Sequence, residues 1–118
     1  MTLLGELTID EVTQINHRRA LAWHGPTEWS LSDWAVALAG EVGELCNVVK
    51  KLNRIRDGLP GNKEGVTKES LEIDLAKEIA DVYLYLDLFA TAVKVDLPAA
   101  IKFKFNEVSQ RIGFKEQL

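Results

Sequence analysis

The chain has 118 residues, enough for one domain (1–118) and too few for a second of useful size. Its formal net charge is −4, which argues against a basic nucleic-acid-binding surface. A single cysteine excludes an internal disulfide and fits a reducing cytoplasm. The first residues do not read as a signal peptide. The apolar run 79–95 is broken by Asp81, Asp87 and Lys94 and falls short of a membrane span.

Four helices are predicted, with no strand, because period-2 alternation is nowhere sustained. The first starts at Thr8, where Thr8 and Glu11 have capping-box spacing, and runs to about Trp23, ahead of Gly25-Pro26. The second is capped by Ser30, with Asp33 three residues on, and extends to Asp57; Gly58 suits the left-handed exit and Pro60 prevents continuation. Residues 58–67 contain three glycines and a proline and read as a loop and a candidate for mobility. The third helix spans Lys68 to Val95. The fourth is capped by Asp96, carries Pro98 in its first turn and ends near Gly113. The expected architecture is an all-α four-helix bundle with antiparallel neighbours.

Two acidic pairs interrupt apolar segments. Glu41 and Glu44 stand in the run from Trp34 to Val49; Glu78 borders, and Asp81 interrupts, the run from Ile79 to Leu86. At i, i+3 spacing each pair lies on one helix face, about 60° apart. Both segments are apolar nearly all round, the pattern of a buried helix, and Cys46 reads as a small core residue of the first. A buried carboxylate is costly unless paired or bound to metal, so four acids on neighbouring helices suggest a hard divalent cation with oxygen ligands. Salt bridging at a helix edge is the plainer alternative.

Other residues share that stripe. Glu44, Asn47, Lys51 and Arg54 are spaced 3, 4 and 3 apart, making Lys51 and Arg54 candidates for phosphate binding; a solvated helix end is the alternative. Trp29 and Tyr85 are candidates for contact with a base or sugar, Tyr85 lying one turn beyond Asp81, whereas Trp34 reads as core. The stripe Leu75, Ile79, Val82, Leu86, Phe89 and Val93 has near-heptad spacing with further apolar residues opposite, so a partner subunit is expected.

The segment Gly40-Glu41-Val42-Gly43-Glu44-Leu45, with Glu78-Ile79-Ala80-Asp81-Val82 farther on, resembles the MazG-like all-α nucleoside triphosphate pyrophosphohydrolases. The likeness covers about residues 17–114 and is closest to the branch, dCTP pyrophosphatases included, that reads GEVGE. It implies a bundle assembled as a dimer or dimer of dimers. It also implies Mg²⁺-dependent cleavage of a (d)NTP to the monophosphate and pyrophosphate, with Mn²⁺ as a substitute ion, in nucleotide-pool house-cleaning. By resemblance, Glu41 and Glu44 match the last two acids of EExxE and Glu78 and Asp81 match ExxD, the metal ligands; Glu44, or Glu41, is the candidate base. Gly40 replaces the first acid. Lys104 and Arg111 match a K-x3-N-x2-R tail that approaches phosphate, although Val108 stands at the asparagine position. His24-Gly25-Pro26 resembles the His-x-Pro of the dCTP branch, which makes His24 a candidate base contact. Phosphoribosyl-ATP hydrolysis and a non-catalytic nucleotide- or metal-binding helical dimer are the alternatives. No nucleic-acid or membrane partner is expected.

Overall fold

The computed structural model describes residues 5–24 and 28–118, His24 by its backbone alone. The described residues form four helices and no strand: α1 (Ile9–His24), α2 (Leu31–Asp57), α3 (Lys68–Ala92) and α4 (Leu97–Ile112). The all-α expectation holds.

Local side-chain chemistry explains the starts. Thr8 Oγ1 accepts the Glu11 amide at 3.1 Å. Ser30 and Asp33 form a complete capping box: Ser30 Oγ accepts the Asp33 amide at 3.2 Å and Asp33 Oδ2 accepts the Ser30 amide at 2.9 Å. Thr67 and Ser70 exchange the same pair of bonds ahead of α3, each 3.1 Å. Asp96 Oδ1 accepts the Ala99 amide at 3.1 Å. Gly58 and Gly113, both left-handed, close α2 and α4.

One expectation is corrected along the chain, and one loop shows specific ties. Helix α3 stops at Ala92, short of Val95, because Lys94 turns left-handed (φ 60°); its amide donates to Thr91 O at 3.1 Å and the Val95 amide to Ala90 O at 2.9 Å. The loop 58–67 is bonded to the end of α2. Asn62 Nδ2 donates to Lys51 O at 3.0 Å, Arg54 Nη1 donates to Gly61 O and Asn62 Oδ1, and the Leu59 amide donates to Arg54 O at 2.9 Å.

Contacts divide the chain into two units, residues 28–89 and residues 1–27 with 90–118. The first holds α2 and most of α3. They run antiparallel: the loop is bonded to the end of α2, and acids at comparable separations before and after it meet. Val48 and Leu71 are buried there. The second unit holds α1, the end of α3, and α4; Asn16, Ala90 and Ser109 are buried, and the Asn106 side chain bonds the Leu118 backbone through both its amide groups, at 2.9 and 3.2 Å.

The acidic helices are not buried all round. Helix α2 leaves Val36 71% exposed and α3 leaves Ile79 53% exposed, and Cys46 is exposed instead of core. One neighbouring helix covers one stripe of α2, and Cys46 points about 140° round the axis from Glu41.

Candidate metal centre

At 100° per residue, Trp34, Glu41, Glu44, Val48 and Lys51 fall within roughly 80° of Glu41 on α2. On α3, Leu71, Asp74, Glu78, Asp81 and Tyr85 fall within roughly 60° of Glu78. Buried Val48 and Leu71 belong to these faces, so packing one helix on the other brings the acids together. Carboxylate oxygens of Glu41, Glu44 and Glu78 all lie within 4.8 Å of one another. Glu41 and Glu78 are half-buried, and Glu44 is exposed. Asp81, half-buried on the same face, stands outside this group of three but acts on it electrostatically.

The cluster is electrostatically uncompensated. Glu41 Oε2 and Glu78 Oε2 are buried and have no hydrogen-bond partner. Burial pushes the Glu41 carboxyl above the ordinary carboxylate range, and the charges of Glu44 and Asp81 push it further. Glu78 is raised first by burial, then by Glu44, Asp81 and Asp74. Among the described residues the ion pairs are Arg56–Asp57, Lys68–Glu72 and Lys104–Glu107, and none involves these acids. Oxygen-only donors, two of them buried and unpartnered, suit a hard divalent cation such as Mg²⁺. The residues present therefore fit that ion.

The flanks of the cluster differ. On the side away from the loop, the rings of Trp29 and Trp34 pack at 4.6 Å between centroids, tilted by 50°. Half-buried Tyr85 follows Asp81 by one turn toward the same side. On the loop side, Lys51 is half-buried and forms no ion pair among the described residues. It lies about 10 Å along the axis from Glu44. Arg54 lies about 15 Å away and farther round the helix, with its guanidinium on the loop. The spacing that grouped Arg54 with Glu44 thus separates into a cation on the acid face, Lys51, and a loop-binding arginine.

Lys104 and Arg111 are on α4, in the other unit; Lys104 pairs with Glu107 at 2.8 Å, and Arg111 lies in the exposed last turn. The side chain of His24 lies outside the described residues. One contributor to the cluster and two interior polar groups away from it were missed. Asp74, one turn before Glu78, adds charge to it, and the 74–78–81–85 spacing carried that signal. Asp87 is 1% exposed, and Tyr83 Oη is buried without a partner; burial first, then Asp87, raises the Tyr83 phenol. No periodicity marked either as interior.

No family model matches the chain. The chain is similar to the Gene 37 protein of Mycobacterium phage L5, 33% identical over 81 residues, which is 69% of this chain. The matched stretch spans 65% of that protein's length, and its name states no activity.

Proposed function

We propose that this chain is a Mg²⁺-dependent nucleoside triphosphate pyrophosphohydrolase of the MazG-like kind, cleaving a (d)NTP to the (d)NMP and pyrophosphate. The observation that carries the reading is the convergence of Glu41, Glu44 and Glu78, two of them with buried, unpartnered oxygens. Glu41, Glu44, Glu78 and Asp81 would hold the ion. When bound, the ion supplies Lewis acidity toward phosphate oxygens and acidifies water. Exposed Glu44, within reach of Glu41 and Glu78, accepts the proton of a water that attacks the α-phosphorus in line with departing pyrophosphate. Lys51 takes the anionic oxygens on the loop side. The Trp29–Trp34 pair and Tyr85 offer an apolar edge to the base on the other side.

The same reading has the chain working as a homodimer or homotetramer in the cytoplasm. Among the helices, none is long and apolar enough to cross a membrane. Ile79 and Leu86, and Val42 and Val49, are exposed apolar pairs at seven-residue spacing, suited to a second helix layer.

Titration with Mn²⁺, followed by electron paramagnetic resonance, tests the metal centre without a substrate. The wild type binds, and Glu41→Gln and Glu78→Gln bind at least about tenfold more weakly. Equal binding by all three would remove the assignment.

A further inference from the structure

Asn62 is half-buried in the middle of the loop, between exposed Gly61 and Lys63. Its amide nitrogen donates to Lys51 O at 3.0 Å, and its amide oxygen accepts from Arg54 Nη1 at 3.3 Å. The same Nη1 donates to Gly61 O at 3.4 Å. Gly61 has φ 122°, a region open to glycine, and a Cβ there would meet Arg54 Cζ at 3.2 Å. The loop is therefore folded round Arg54 and tied through Asn62 to the backbone of Lys51.

Helix capping does not require this tie. A helix leaves its last four carbonyls unserved, which in α2 begin at Arg54. The Lys51 carbonyl precedes them and belongs to the regular ladder. The bond from Asn62 is an addition aimed at one turn, and that turn presents the half-buried cation of the acid face. A helical side chain leans toward the N-terminus of its helix, so Lys51 extends from this turn back toward Glu44.

We propose that Asn62, supported by Arg54, is a positioning residue: it fixes the Lys51 turn so that the ammonium receives the terminal phosphates of an oligophosphate chain. This rests on the phosphate-binding part of the proposed function. Arg54, whose guanidinium is bonded to the loop, serves the latch and not the ligand.

A double-mutant cycle tests it, with inorganic tripolyphosphate as the probe in isothermal titration calorimetry at saturating Mg²⁺. The proteins are the full-length wild type, Asn62→Ala, Lys51→Met and the double variant; a titration of Mg²⁺ alone is run on each. Asn62→Ala weakens tripolyphosphate binding by roughly three- to tenfold, the worth of one hydrogen bond, and leaves Mg²⁺ binding unchanged. In the Lys51→Met background the Asn62 change adds nothing, an outcome that general loosening of the loop would not give. Asn62→Gln keeps both amide functions at the wrong reach and gives the same pattern should the alanine variant fail to fold. Wild-type affinity in Asn62→Ala, an equal penalty in both backgrounds, or no tripolyphosphate binding by wild type overturns the proposal. Absence of Mg²⁺ binding alone, with the tripolyphosphate pattern intact, overturns the metal reading and leaves this one standing.

Discussion

Glu41 and Glu78 keep carboxylates where burial and the charge of Glu44 both oppose ionisation. Their folded-state pKa values lie above the unfolded value of about 4.3, so between the two the folded chain binds more protons than the unfolded one. The slope of unfolding free energy with pH is then negative for these groups: their penalty is absent below about pH 4 and complete above the raised values. The thermal midpoint of the metal-free protein, followed from about pH 4.5 to about pH 7.5, should fall less steeply in Glu41→Gln than in wild type. An identical pH dependence would contradict the electrostatic account. Saturating Mg²⁺ should offset the penalty near neutrality, adding about 2.7 kcal/mol at a hundredfold excess over Kd. Removing Glu41 or Asp81 as Gln or Asn should stabilise the metal-free chain and lower kcat/KM by about 100-fold or more, a trade of function against stability. These acids were legible in the sequence because charge inside an apolar helix is rare. Burial of Asp87 and exposure of Cys46 were not, because a helix apolar on every side does not say which side its neighbour covers.

At the scale of the elements, α2 does most to order the site, since one face carries Trp34, both glutamates and Lys51. Its start depends on a reciprocal Ser30–Asp33 box, and Ser30→Ala should cost about 1 kcal/mol in chemical denaturation. The caps at Ser30 and Asp96 and the glycine exits at Gly58 and Gly113 were readable, because each uses a residue type that local backbone geometry demands. The exit of α3 was not readable, because it forces Lys94 into a left-handed conformation that glycine takes without strain. Lys94→Gly should therefore stabilise the protein by about 0.5–1 kcal/mol; a loss of stability would show that the Lys94 side chain offsets its backbone strain. The loop 58–67 was a candidate for mobility because its composition is rich in glycine. Its restraint comes from Arg54 and Asn62, residues eight apart whose meeting depends on the turn the chain makes.

For the whole chain, the sequence showed four helices but not how their apolar surfaces are shared. Two units emerge, and rows such as Ile79 with Leu86 remain exposed. The proposed homo-oligomer covers them: sedimentation at micromolar concentration should give a dimer or tetramer, and Ile79→Lys with Leu86→Lys should shift it toward monomer. A wild-type monomer would remove that part of the reading. The central claim is catalytic. Its most direct test is pyrophosphate release from a panel of NTPs and dNTPs, modified bases included, with Mg²⁺ and with EDTA. Metal-dependent release is expected, yielding the monophosphate from one or a few substrates and falling about 100-fold or more in Glu41→Gln. No release from any substrate by a folded, Mg²⁺-binding protein would contradict it.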